Sequence, residues 1–492
     1  QILDDAVARW PDQVAIDFMG RRFSYAELAQ LVARAAKGLQ ALGVGPGVHV
    51  GLYLANTPHY MISFFAVLKA GGVVVNYSPL DAEKVLEHKI GDSQTDVLVT
   101  LDFQALYPQM DRLLASTRLK TLVVGTLGEM TAHSAAVTQQ LRGAGQLSEV
   151  AFDARHVAFA NLIDNDGAYT RHDIGDPRDA LAVLQYTGGT TGLPKGAMLT
   201  HGNLSAANQQ YWLTSTQGGA NLQEGAERFL CVLPPFHIYA LSVNMLLGVR
   251  LGATQILHTR FEPEPILKDL AAKKVTVFPG VPTMYTAINH FPGVEQFDLR
   301  ALKYCGSGGA PLPVEVHQRF MQLTGCSLSE GWGMTETSPS GTFSPVTGPQ
   351  RVGSCGLPMP GITIRFVQLD NPDAYVAPGE RGEIVIRGPN VMKGYWGNAA
   401  ATAEAFNIDG FMRTGDVGLM DAEGYIHIVD RTKDMLLCSG FNVYPRTIEE
   451  AIYAHPSVAE VCVIGIPDEY RGQSPKAFIA LKAGASVAVQ PL

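Results

Sequence analysis

A chain of 492 residues is too long for one hydrophobic core and points to about three structural units. Its 46% hydrophobic and 17% charged residues exclude a disordered chain, its net charge of −9 argues against nucleic acid as the main partner, and apolar runs such as Val73-Val74-Val75 fall far short of a membrane span. Six scattered cysteines without a CxxC pair fit buried thiols in a reducing compartment, so a cytoplasmic protein without a signal peptide is expected.

Residues 4–10 read as the tail of a first helix. Ser24 with Glu27 three residues on is a capping-box start for a helix that runs to Leu42 and stops at Gly43. A strand over 48–54, a helix over 58–70 closed by Gly71-Gly72, and a strand over 73–75 follow. The pattern continues with a helix near 82–90, a strand over 97–100, a helix near 105–114 and a strand over 121–124. The polar stretch 129–155 reads as surface helix and loop. Alternating strands and helices predict parallel sheets covered on both faces.

The apolar run Leu181-Ala182-Val183-Leu184 reads as a buried strand, and the densest motif of the chain follows it. From Thr187 to Gly196, ten residues hold four glycines, three threonines and Lys195. Glycine lets backbone approach a ligand, threonine hydroxyls and free N–H groups donate to phosphate oxygens, and Lys195 adds a point charge. No Gly-Lys-Ser/Thr stands at the spacing of a P-loop. A bare surface loop would explain the glycines, but not the threonines, the Pro-Lys-Gly ending and the preceding strand together. Asn203 is placed to cap the next helix.

Further on, Pro234-Pro235-Phe236-His237-Ile238-Tyr239 ends a strand and leads into an apolar helix over 242–249. Taken alone, His237 reads as an ordinary satisfied histidine. Ser307-Gly308-Gly309-Ala310-Pro311 can lie flat against a planar ring, or simply turn before a helix. In Glu330-Gly331-Trp332-Gly333-Met334-Thr335-Glu336, a hydroxyl and a carboxylate follow a glycine turn; oxygen donors of this kind suit a phosphate and a hard cation. Asp416, after Thr414-Gly415, is either a turn former or a two-oxygen acceptor. Asp430-Arg431-Thr432-Lys433-Asp434 is a charged linker between apolar strands.

Together these segments resemble the adenylate-forming superfamily of acyl-CoA synthetases, luciferases and peptide-synthetase adenylation domains. Gly188, where most members carry Ser, and residues 66–80 make the likeness strongest to bacterial medium- and long-chain fatty acyl-CoA synthetases. The resemblance implies an α/β fold: a large N-terminal domain of two parallel sheets with helices plus a small β-barrel at about 350–430, then a small α+β domain. The expected boundaries are 1–430, a hinge at 431–434 pivoting on Lys433, and 435–492.

It implies ATP and coenzyme A as substrates and Mg²⁺ as cofactor. ATP would be held by Thr187, Gly188, Gly189, Thr190, Thr191, Gly192, Lys195, Gly308, Gly309, Ala310, Gly331, Trp332, Gly333, Met334, Thr335, Asp416 and Arg431. Glu336 would hold Mg²⁺, and Lys195, Thr335, Glu336 and His237 would be catalytic. His237, Ile238, Leu241, Val281, Ser307 and Gly308 would line the acyl pocket, and Ser439 and Gly440 would receive coenzyme A. Trp332 stands where the family usually has Tyr, which keeps a stacking face for adenine and loses a hydroxyl.

The family's Pro-x-x-x-x-Gly-Lys segment has no counterpart before Leu492, since Lys476 matches an earlier strand. The expectation is that the chain as given is truncated and adenylates poorly, yet still converts a supplied acyl-AMP to a thioester. An aryl or dicarboxylic acid ligase, a ligase loading a carrier protein, and a non-catalytic acyl- or nucleotide-binding module stay open. So do a homodimer and a peripheral membrane association.

Overall fold

The computed structural model describes residues 2–187, 193–310, 312–346, 351, 353–438, 441–453, 455, 457–468, 471–482 and 484–486. The chain forms two compact units. One comprises Gln1–Val352, Met359–Gly361 and Gly388–Thr402; the other comprises Gly353–Pro358, Ile362–Arg387 and Ala403–Leu492.

The first unit is built on two seven-stranded sheets. In one, Thr121–Gly125, Thr95–Leu101, His49–Leu52, Val73–Asn76 and Leu181–Thr187 run parallel in that spatial order. Lys195–Thr200 closes its edge antiparallel to Leu181–Thr187. In the other, Leu328–Glu330, Tyr304–Ser307, Val277–Gly280, Arg228–Cys231 and Thr254–Leu257 run parallel. His49–Leu52, Val73–Asn76 and Val277–Gly280 are buried at every position, as parallel strands covered on both faces are. The helix Pro58–Lys69 is buried almost all round, which its apolar sequence PHYMISFFAVLK requires.

One strand crosses between the halves of the sequence. Val14–Phe18 pairs parallel with Thr254–Leu257, with Ile16 opposite Gln255, and carries Arg21–Ser24 as an antiparallel edge. Below the second sheet, Leu230, Phe278, Tyr285 and Phe320 form a core in which the Tyr285 hydroxyl lies 2.7 Å from the Phe278 carbonyl and 2.8 Å from that of Gly306.

Ser24 caps Tyr25–Ala41 by accepting the Glu27 N–H, but the Glu27 carboxylate turns to Arg21 at 2.8 Å instead of returning to the cap. The cap of His201–Gln217 is Thr200, not Asn203 as expected. Asn203 sits one turn inside, where its side-chain oxygen accepts the Thr200 N–H at 2.9 Å and completes a capping box. Residues 240–246 wind as a π-helical turn before Leu247–Arg250.

In the second unit, Thr363–Val367, Gly382–Arg387, Met412–Met420 and Ile426–Arg431 form a four-stranded antiparallel sheet. A further sheet holds Phe441–Val443, Leu436–Cys438, Gly472–Leu481 and Val458–Asp468 in that order. All six cysteines are free. No helix among the described residues is long and apolar enough to cross a membrane.

Candidate active site

Thr187 and Lys195 are the last and first residues of an antiparallel pair and lie opposite each other in register. The predicted phosphate ligands Gly188, Gly189, Thr190, Thr191 and Gly192 lie between them, outside the described residues. Lys195 is exposed, and its Nζ stands 5.0 Å from the centre of the Tyr395 ring. The Tyr395 hydroxyl donates to Glu336 Oε1 at 2.8 Å. Glu336 is only 6% exposed, so this contact satisfies a carboxylate largely withdrawn from water. Burial, then the Glu336 charge, hold the Tyr395 phenol far above its ordinary pKa, so it remains a donor.

The turn presenting Glu336 is shaped by close backbone contact. A Cβ on Gly333 would stand 1.5 Å from the Pro339 carbonyl oxygen, so this position accepts only glycine. Trp332 packs its ring over Gly341, where a Cβ would come within 2.7 Å of the indole. Asn390, fully buried, donates to the carbonyls of Thr337 and Ser340 at 2.7 Å each and accepts from Ser338 Oγ at 2.9 Å.

The His237 turn is held by a chain of buried amides. Tyr60 lies 2.7 Å from both Asn76 Oδ1 and the Pro235 carbonyl. Asn76 donates to Gln185 Oε1 at 2.9 Å, and Gln185 donates to the Phe236 carbonyl at 2.7 Å. His237 is exposed, yet surrounding protein lowers its pKa by desolvation. Its Nδ1 accepts the Tyr239 N–H at 3.2 Å, which leaves the neutral ring's proton on Nε2.

Ile238 and Leu241 are buried beyond the turn. Gly308 lies under the Tyr239 ring, where a Cβ would stand 3.3 Å away, and Gly309 adopts φ +82° beside Val281. Ala310 follows, exposed. Among the described residues, Ser307 Oγ is buried without a hydrogen-bond partner. An apolar cavity lies on the Pro58–Lys69 side, lined by Tyr60, Met61, Leu233, Ala240, Met245 and Leu257. None of the six predicted acyl-pocket residues lines it.

In the second unit, Asp416 is 6% exposed and sits opposite Arg431 in register, with Arg431 Nε 3.3 Å from Asp416 Oδ1. Asp430 accepts the N–H groups of Arg431 at 2.7 Å and Arg446 at 3.1 Å. Lys433 is exposed in the turn between Ile426–Arg431 and Leu436–Cys438. The predicted coenzyme A contacts Ser439 and Gly440 lie outside the described residues.

The family description "AMP-binding enzyme" matches residues 3–396. This chain belongs to the AMP-binding enzyme family. The description "AMP-binding enzyme C-terminal domain" matches residues 447–491. The chain is 38% identical over 497 aligned residues to a long-chain-fatty-acid–CoA ligase of Bacillus subtilis strain 168, covering 100% of this chain and 87% of that one. It is 35% identical over 480 residues to a feruloyl-CoA synthase of Amycolatopsis, covering 97% and 87%. Among solved structures, ATP-bound MatB from Rhodopseudomonas palustris matches with a TM-score of 0.84 at 28% identity, over 99% of this chain and 90% of that one.

The resemblance drawn from the phosphate loop and its companion motifs is thus borne out. In this AMP-binding enzyme the structure brings Lys195 and Glu336 to one tyrosine, and Asp416 to Arg431. Tyr395 lies outside the motifs singled out from the sequence. Asn76, Gln185 and Asn390 were also missed, and only the rarity of buried amides in apolar strands and turns could have flagged them.

Proposed function

We propose that this AMP-binding enzyme is an ATP-dependent, AMP-forming fatty acid–CoA ligase acting on medium- or long-chain acids. The full-length likeness to named long-chain-fatty-acid–CoA ligases carries this reading, and the Lys195–Tyr395–Glu336 arrangement supports it. In the first half-reaction a carboxylate oxygen attacks the α-phosphorus of ATP and pyrophosphate leaves, giving acyl-AMP. In the second, the sulfur of coenzyme A attacks the acyl carbon, its thiol proton passes to solvent, and AMP leaves with the electron pair of the broken bond.

Little covalent work falls to side chains, so positioning and charge stabilisation must supply the rate. Lys195 offers a cation at the edge of the phosphate loop, and Thr335 a hydroxyl beside it in sequence to Glu336. The Glu336 carboxylate and Thr335 hydroxyl are hard oxygen donors of the kind that fit Mg²⁺. Mg²⁺ held there would neutralise charge building on the phosphates. Asp416, steadied by Arg431, offers two acceptor oxygens for ribose hydroxyls. His237, neutral with its proton on Nε2, would wall the carboxylate end of the acyl site, and Lys433 would serve as the hinge. A cytoplasmic setting with small-molecule substrates suits six free thiols.

The likeness to a feruloyl-CoA synthase at nearly the same identity favours a second reading, an aryl acid–CoA ligase. An equimolar mixture of palmitoyl-AMP and feruloyl-AMP with coenzyme A separates them. The proposal expects palmitoyl-CoA to dominate the product; predominant feruloyl-CoA would replace it with the aryl reading.

A further inference from the structure

Residues 392–396 lace together two parts of the site that lie far apart in sequence. On one side they extend the Lys195–Thr200 strand. Tyr395 bridges Ala197, Met198 N donates to Gly394 O at 2.9 Å, Lys393 N to Met198 O at 3.0 Å, and Trp396 N to Gly196 O at 2.8 Å. On the other side, Met392 N donates to the backbone oxygen of Glu336 itself at 2.7 Å. Gly394 permits the lacing: its φ is +143°, and a Cβ would strike the Thr402 side chain at 2.6 Å. Tyr395 is fixed further by its own N–H on Thr402 Oγ1 at 2.9 Å, and Trp396 by its indole N–H on the Asp92 carbonyl at 3.0 Å.

From this braced backbone the Tyr395 side chain addresses both charged groups. Its hydroxyl holds Glu336 Oε1, and its ring carries the Lys195 ammonium over one face. A ring face attracts a cation without neutralising it, so Lys195 is steadied but keeps its charge for a phosphate. A hydroxyl on one carboxylate oxygen restrains the Glu336 rotamer and so the direction in which the carboxylate faces.

Resting on the function proposed above, we propose that Tyr395 is a positioning residue that sets Glu336 for Mg²⁺ and Lys195 for the nucleotide phosphates at once. Tyr395 touches neither reacting atom; it acts through the two residues that do.

The test is equilibrium binding of α,β-methylene-ATP to the whole chain, followed by calorimetry across a Mg²⁺ titration. Tyr395→Phe keeps the ring and removes the hydroxyl. It should raise the Mg²⁺ concentration at half-effect about tenfold, while affinity for the analogue without metal stays at the wild-type value. Tyr395→Leu removes both features and should also weaken metal-free binding. A wild-type Mg²⁺ midpoint in Tyr395→Phe would overturn the proposal, and so would equal loss of metal-free binding in both variants. Should Tyr395→Leu fail to fold, the near-isosteric phenylalanine variant decides alone. Absence of Mg²⁺-dependent nucleotide binding by the wild-type protein would instead sink the ligase reading itself.

Discussion

Gly333 shows how far single residues in this site are fixed by geometry. Gly333→Ala would press a methyl group into the Pro339 carbonyl, and the turn that presents Thr335 and Glu336 must open to admit it. We expect a lowered melting temperature together with loss of nucleotide binding, both read in one thermal-shift series with and without ATP. Glu336→Gln is nearly isosteric and should leave the fold intact, yet reduce acyl-CoA formation on the order of 10²–10³-fold, as loss of a preorganised charge does. A rate within a few-fold of wild type would remove Glu336 from the metal role. At this scale the sequence was legible where residues of one task stand side by side, as in Thr335-Glu336 or Thr187 to Lys195. Tyr395 was not legible, because its hydroxyl partner lies 59 positions away and no local pattern marks such a pair.

Elements were readable where their periodicity is long and their ends carry chemistry. The helix expected over 58–70 is Pro58–Lys69, and the strand expected over 73–75 is Val73–Asn76. The cap of His201–Gln217 was misplaced by three residues because Thr200 and Asn203 are both good capping types. The reciprocal box uses both, with threonine outside the helix. Thr200→Ala should cost about 1 kcal/mol, measured by denaturant unfolding. The amide chain Tyr60–Asn76–Gln185 that steadies the His237 turn joins a helix, two strands and a loop, so no single element announces it. Gln185→Leu would strand the Asn76 amide and the Phe236 carbonyl. A loss of about 1–3 kcal/mol in stability is expected, with weaker binding of acyl-AMP but little change in ATP affinity if the turn serves the acyl side.

For the whole molecule, alternating strands and helices forecast parallel sheets, and two seven-stranded sheets are present. What the pattern could not forecast is that Val14–Phe18 leaves its neighbours in sequence to pair with Thr254–Leu257. That choice depends on which sheet edge is free, a property of the assembled fold. Global stability should also carry a signature of Asp102, which is buried with one carboxylate oxygen unpartnered among the described residues. Burial, then the Glu129 charge, push its pKa up to about 6 from 3.8, against smaller opposing effects of His59 and Arg142. Folding therefore favours its protonated form. The resulting penalty is full above about pH 6 and absent below about pH 4. Asp102→Asn should raise the melting temperature at pH 7.5, with the gain shrinking steadily as pH falls to 4. A gain independent of pH would contradict that account.

The ligase assignment itself is tested most directly by supplying saturated acyl-AMPs of graded chain length with coenzyme A and reading the thioesters by mass spectrometry. A fatty acid–CoA ligase predicts acyl-CoA and AMP in equal amounts, with yields peaking at a medium or long chain. No thioester at any length, alongside transfer of the same acyl groups to a holo-carrier protein, would contradict it.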